Sequence, residues 1–133
     1  MSDLAKKEQG DLLPYLFGKE AGSILPQPFE RDIFLFDTYV AGTTHIEGMD
    51  RIGESLQAED RVNFFREPQN PHDPQAIRVE TMGGQKIGYI PQQDNIVFSR
   101  LMDAGKELFG RLLDKELLGN WWKIRIRIYL HER

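Results

Sequence analysis

Side chains able to do chemistry concentrate between Arg66 and Tyr89. The run Asn70-Pro71-His72-Asp73-Pro74 sets a titratable ring beside a carboxylate, with Arg66, Arg78, Lys86 and Tyr89 close in sequence. An ionised aspartate only accepts hydrogen bonds, so Asp73 is suited to receive a hydroxyl hydrogen. On a strand His72 and Asp73 would point apart; on a turn they can be reunited. The three histidines, His45, His72 and His131, show neither H-x-x-x-H nor H-E-x-x-H spacing, and there is no cysteine. No metal site is therefore declared, and thiol chemistry is excluded. His45, His72 and Asp73 would support metal-dependent phosphodiester hydrolysis only if the fold gathered all three around a divalent cation. No phosphate-cradling glycine loop opens a helix, and no G-x-S-x-G elbow is present. The residues point to a binding module rather than an enzyme, and they imply no cofactor.

The elements that must position these residues read mainly as strands. Asp32–Ala41 is aromatic and β-branched; Glu59–Glu67 is a second strand that Pro68 ends; Gln69–Pro74 is a turn. Ala76–Thr81 alternates, with Ile77 and Val79 on one face and Arg78 and Glu80 on the other. Gly83-Gly84 predicts a two-residue hairpin with positive φ at both glycines, and Gln85–Ile90 returns from it to Pro91. Asp94–Ala104 is the clearest helix, capped by Asp94, closed by Gly105, with Val97, Leu101 and Ala104 as its core face. Gly42–Gly53 reads as a loop holding at most a short element. Glu107–Leu118 fits either a helix or a strand, because its leucines suit a helix and Gly110 opposes one. Trp121–Leu130 is a strand with Ile124, Ile126, Ile128 and Leu130 on one face and Lys123, Arg125 and Arg127 on the other. That alternation puts one of Trp121 and Trp122 in the core. The fold class expected is mainly β with one or two helices, a small OB-like β-barrel.

Composition sets the bounds. The chain has 133 residues, enough for one domain, and 40% of them are hydrophobic, enough for a core without staples. Residues 1–30 read as an N-terminal extension and linker. Within it Met1–Gly10 is polar, Asp11–Gly18 is a short apolar cluster suited to docking on the body or to serving as a partner-binding peptide, and Ala21–Glu30 is rich in linker residues. No apolar run is long enough for a membrane span, and Met1–Gly10 lacks the apolar core of a signal peptide, so a cytoplasmic location is expected. The net charge of −4 argues against broad coating of nucleic acid. The charge is uneven. Residues 1–59 carry 5 basic and 11 acidic side chains, and residues 60–133 carry 12 basic and 10 acidic. A nucleic-acid surface would be a local patch in the second part.

Several spaced motifs occur in order: Arg66-Glu67-Pro68, Asn70-Pro71-His72-Asp73, Ala76-Ile77-Arg78-Val79 and Gly88-Tyr89-Ile90-Pro91. Upstream, Val40-Ala41-Gly42 leads into Thr43-Thr44-His45. Together they resemble the HIRAN domain family over roughly residues 32–130, so residues 31–133 are expected to form a HIRAN-like barrel. The resemblance implies an OB-type barrel with a packed helix, and binding of single-stranded DNA at a free 3′-hydroxyl end. It implies that Asp73 contacts that hydroxyl and that His72 stands where an aromatic flanks the terminal base. Thr44 and His45 match a loop pair that is Arg-Tyr in some eukaryotic members. Tyr89 follows the glycine of the return strand, and Trp121 or Trp122 lies near an aromatic that stacks on bases. The family also occurs fused to helicase-like remodelling enzymes and nucleases, which makes a helicase or nuclease a possible partner.

A strand-end pocket needs flat rings to stack, donors for phosphates and an acceptor for the hydroxyl. Tyr89, His45, His72 and Trp122 are the rings; Arg66, Arg78 and Lys86 are the phosphate partners; Asp73, with Asn70 in its turn, is the acceptor. Each has a structural competitor. Asn70 and Asp73 commonly bond their own backbone in turns. Tyr89 serves equally as a half-buried strand aromatic. Lys123, Arg125 and Arg127 are what any solvated strand face displays. A second function class, a protein- or peptide-interaction module using an OB-like groove, suits the acidic first part.

Overall fold

Apolar residues at alternating positions commit six segments to strands. The computed structural model describes residues 30–133. In chain order these form β1 (Arg31–Tyr39), a 3-10 turn (Thr43–His45), α1 (Met49–Ser55), β2 (Arg61–Arg66), β3 (Ile77–Thr81), β4 (Lys86–Tyr89), α2 (Gln92–Asp103), β5 (Glu107–Leu118) and β6 (Trp121–Glu132). The expected extension, residues 1–29 with the Asp11–Gly18 cluster, lies outside the described residues. Among the described residues no helix is long and apolar enough to cross a membrane.

The strands form one six-stranded sheet in the order β1-β6-β5-β2-β3-β4. The pairings β2–β3, β2–β5, β3–β4 and β5–β6 are antiparallel. Beyond β1 the chain meets the opposite edge of the sheet. Ala41 donates its N–H to the Tyr89 carbonyl at 2.7 Å, and Tyr89 donates back to the Ala41 carbonyl at 2.9 Å. This exchange closes the curled sheet into an OB-like barrel and removes the β4 edge at that point. Gly88 makes it possible. A Cβ there would sit 2.3 Å from the Ala41 carbonyl oxygen, so only glycine lets the two strands approach. The barrel is filled by Val62, Ile77, Val79, Ile87, Ile124, Ile126 and Ile128, all fully buried.

The structure decides one open reading and corrects the hairpin and the helix. Glu107–Leu118 is a twelve-residue strand, registered against β6 from Glu107↔His131 to Leu118↔Trp121. Its leucine spacing suited a helix, but pairing with the strongly alternating β6 decides the outcome. Gly110 fits because Phe64 and Val62 pack directly on it, leaving no room for a Cβ. The short element allowed for within Gly42–Gly53 is present as the 3-10 turn and α1, whose Gly53 is pressed against the Trp122 ring.

The hairpin after β3 uses a longer turn than expected. Gly84 donates to the Thr81 carbonyl and Thr81 donates to that of Gln85, and of the two glycines only Gly84 has positive φ. This is a type I turn followed by a left-handed glycine, which needs one such residue rather than two.

α2 begins at Gln92 behind Pro91, with Asp94 inside its first turn rather than at the cap. Asp94 instead accepts a hydrogen bond from the Thr38 hydroxyl at 2.9 Å. At the other end Gly105 and Lys106 donate to the carbonyls of Met102 and Leu101, the paired bonds that close a helix on a left-handed residue. The helix is rotated from the expected face. Val97 is 59% exposed and Ala104 is exposed, while Asn95, Phe98 and Ser99 are buried. Two stripes of helical spacing overlap in this sequence, and the polar one wins because Asn95 and Ser99 find partners beneath it.

Candidate nucleic-acid interface

The turn between β2 and β3 is built by Asn70. Its Oδ1 accepts from the backbone N–H groups of His72 at 2.8 Å and Asp73 at 3.1 Å. Its Nδ2 donates to Glu67 Oε1 at 2.9 Å, which ties the turn back to the end of β2. Asp73 continues the pattern, since its Oδ1 accepts from the Gln75 N–H at 2.9 Å. The structural role of these side chains is therefore real, and it coexists with a second arrangement. Asp73 Oδ2 accepts from Asn95 Nδ2 on α2 at 2.7 Å, and Asn95 is only 3% exposed. The neighbouring Ser99 hydroxyl donates to Gln75 Oε1 at 2.6 Å.

The turn, the end of β4 and the start of α2 enclose a concavity of about 300 Å³. Asn70, His72, Asp73, Tyr89, Gln92 and Asn95 supply its polar lining, and Ala41, Ala76 and Ile90 its apolar part. Asp73 is the carboxylate in this wall. Each of its oxygens uses one lone-pair site on the protein and retains another, so the fixed carboxylate can still accept from a ligand.

Tyr89 is fixed at both ends. Its backbone closes the barrel onto Ala41, and its hydroxyl donates to Glu67 Oε1 at 2.9 Å while accepting from Lys86 Nζ at 2.9 Å. The same ammonium lies 4.5 Å from the ring centroid. Burial of the Glu67 carboxyl would raise its pKa, but hydrogen bonds from Arg78, Asn70 and Tyr89 hold it down to about 2. Glu67 is thus ionised throughout the physiological range and orients the Tyr89 phenol.

The cations expected to meet phosphates divide into two kinds. Arg78 is held between Glu67 at 2.8 Å and Glu80 at 2.6 Å, contacts that raise its pKa. Arg66 pairs with Asp103 at the end of α2 and donates to the carbonyls of Ala76 and Pro74. Arg66 spends its donors inside the molecule and braces the turn, while Arg78 is fixed by its two carboxylates with part of its guanidinium left exposed. Lys86 is exposed and stands at the Tyr89 ring.

Thr44 and His45 are exposed on the 3-10 turn, which packs against β4 and β6 but does not line the concavity. Buried Thr43 anchors that turn by donating its hydroxyl to the Trp122 carbonyl at 2.7 Å. Trp122 itself is 6% exposed and donates Nε1–H to Asp50 at 2.8 Å, so it is a core residue and cannot stack on a base. Trp121 is the outward ring of the pair, 37% exposed. Among the described residues no group of three or more His, Cys, Asp or Glu is placed to hold a metal ion, so His45, His72 and Asp73 do not converge as ligands. The sequence reading missed Gln92 and Asn95. The only trace of Asn95 was its spacing of four from Ser99, two polar residues on one helix face.

The motifs around Asn70–Asp73 and Gly88–Pro91 meet at this concavity. The family model of the HIRAN domain matches residues 33–132. A crystal structure of a protein from Lactobacillus plantarum superimposes with a TM-score of 0.73 at 24% identity, covering 78% of this chain and 99% of that one. The crystal structure of the HIRAN domain of human HLTF gives a TM-score of 0.60 at 18% identity, covering 77% of this chain and 80% of that one. A solution NMR structure of the same HLTF domain gives 0.54 at 16% identity, with the same coverage. At these identities the likeness establishes the barrel fold. A comparison with curated proteins gives no match. With its motifs, its barrel and the family model all coinciding over residues 33–132, the chain belongs to the HIRAN domain family.

Proposed function

We propose that this domain is a nucleic-acid-binding module that takes the free 3′-hydroxyl end of single-stranded DNA into the concavity at Asp73. The observation that carries the reading is the Asp73 carboxylate, held by Asn95 and the Gln75 N–H in a wall shared with Tyr89 and His72. A terminal hydroxyl donates to such a carboxylate, whereas a terminal phosphate brings like charge against it in a partly shielded site. Tyr89 and His72 offer flat surfaces to the last bases, and stacking contributes about 1–3 kcal/mol per base without regard to sequence. Lys86 meets a backbone phosphate at the Tyr89 ring, and exposed Thr44 and His45 meet the strand outside the concavity. Arg66, Arg78 and Asn70 act by holding the turn.

Such a module serves DNA repair or replication-fork processing, in the company of a helicase or nuclease that exposes 3′ ends. No catalytic step is assigned to it. Fluorescence anisotropy tests the reading with one oligonucleotide carrying either a 3′-hydroxyl or a 3′-phosphate. Preference for the hydroxyl, lost in Asp73→Ala, supports end capture; equal affinities reject it. Weak dependence on salt would favour a peptide ligand over a phosphodiester.

A further inference from the structure

The outward face of β2, β5 and β6 carries a second charged arrangement, none of which lines the Asp73 concavity. Arg61 on β2 is paired directly with Arg111 on β5, and Arg111 is paired directly with Arg127 on β6. Three arginines thus stand in one row across three adjacent strands. Arg127 forms an ion pair with Asp37. Among the described residues Arg61 and Arg111 pair with no carboxylate; their polar contacts are with Asn63 Oδ1 and the Glu59 carbonyl. Like charges placed directly opposite on neighbouring strands destabilise a sheet. A chain whose net charge is −4 has ample acid to neutralise such a row, yet only one end of it is neutralised.

The row beside it explains how the cations are held. Phe109 is stacked on Tyr129 with ring centroids 5.3 Å apart and planes 17° apart. The Arg61 guanidinium lies 4.2 Å from the Phe109 centroid and that of Arg111 lies 5.6 Å from it. Arg127 lies 5.0 Å from the Phe34 ring. A guanidinium resting on a ring keeps its in-plane N–H groups available, the geometry that meets a phosphate with two parallel bonds. With strands about 4.8 Å apart, Arg61 and Arg111 set two guanidinium groups side by side. Two such groups suit neighbouring phosphates of a nucleic-acid strand rather than a single small anion.

We infer that Arg61 and Arg111, flanked by the Asp37-paired Arg127, form a phosphate-binding platform for a nucleic-acid backbone, separate from the end-binding concavity. It gives the acidic domain the local attraction for a strand that its net charge denies. It acts on any phosphodiester strand, whatever chemical group stands at the end.

The test uses anisotropy on the full chain, with a single-stranded oligonucleotide bearing either a 3′-hydroxyl or a 3′-phosphate. Arg61→Gln/Arg111→Gln should weaken both oligonucleotides equally, on the order of tenfold at low salt. It should also make the slope of log affinity against log salt shallower by about 1.4, the share of two phosphate contacts on a single strand. Arg111→Glu controls for folding. It places a carboxylate between Arg61 and Arg127, so it should melt no lower than the wild type while binding both oligonucleotides more weakly. Wild-type binding that ignores the 3′ group but still falls in Arg111→Glu supports the platform while rejecting end capture. Unchanged affinity and salt slope in both variants overturn the platform and leave the concavity standing. Tighter binding of an acidic peptide than of the oligonucleotide also overturns it.

Discussion

Asn95 and Asp73 meet at 2.7 Å across the boundary between α2 and the β2–β3 turn. One partner is buried helix and the other is pocket wall, so the contact transmits the rigidity of the helix to the carboxylate. Removing the amide should loosen the site without dismantling the barrel. Asn95→Ala should lower the unfolding free energy by about 1–3 kcal/mol, the range for losing a buried hydrogen bond to a charged group. It should also reduce discrimination between 3′-hydroxyl and 3′-phosphate ends. Urea titration and anisotropy on the same preparation check both effects.

Glu67 makes a pH prediction whose sign is fixed. Its folded pKa of about 2 lies below the ordinary glutamate value of 4.5. The stability it contributes is therefore fully present above about pH 4.5 and is lost as pH falls through about 2. The full contribution is on the order of 3 kcal/mol, because each pKa unit corresponds to about 1.4 kcal/mol. Glu67→Gln should be less stable at neutral pH and should lose less stability than the wild type on acidification through that window. Denaturant midpoints measured against pH distinguish the two curves.

Gly88 tests the closure of the barrel. A methyl group there meets the Ala41 carbonyl at 2.3 Å and Val40 Cγ1 at 2.6 Å, and neither the backbone nor the fully buried Val40 can yield cheaply. Gly88→Ala should cost about 3 kcal/mol or more. Hydrogen exchange at the Ala41 and Tyr89 amides should accelerate first, since those bonds are the closure. Protection equal to the wild type at both amides would show that the closure does not depend on the glycine.

The two tryptophans should separate cleanly. Trp122→Phe loses the bond to Asp50 and leaves space against Gly53, so a loss of about 1–3 kcal/mol is expected. Trp121→Phe should cost less than Trp122→Phe, under about 1 kcal/mol, because its ring is 37% exposed and the substitution keeps most of the covered aromatic area. Thermal melts followed by circular dichroism provide the comparison.

What was legible in the sequence follows from where the determining forces lie. β6 was plain because Ile124, Ile126 and Ile128 alternate with charge, a signal local to the strand. The Asn70–Asp73 turn was plain because asparagine, proline and aspartate make turns through their own short side chains. β5 was ambiguous because its leucines suit either period, and its state is decided by pairing with β6. The role of Arg78 was half hidden, because Glu80 lies two residues along the same strand but Glu67 stands at the end of the neighbouring one. Arg66 was hidden more deeply, since its partner Asp103 lies at the far end of α2. The face of α2 was misjudged because burial there is governed by hydrogen bonds from Asn95 and Ser99, which apolar spacing does not register. The row of Arg61, Arg111 and Arg127 was equally invisible, because it depends on the exact register of the β5–β6 hairpin and on the pairing of that hairpin with β2, which is distant in sequence.

The measurement that bears most directly on the central claim is the ratio of affinities for a 3′-hydroxyl and a 3′-phosphate oligonucleotide, in the wild type and in Asp73→Ala. The carboxylate in the concavity predicts tighter binding of the hydroxyl end by the wild type and a ratio near one in the variant. A wild-type ratio of one, or a preference that survives Asp73→Ala, would contradict it.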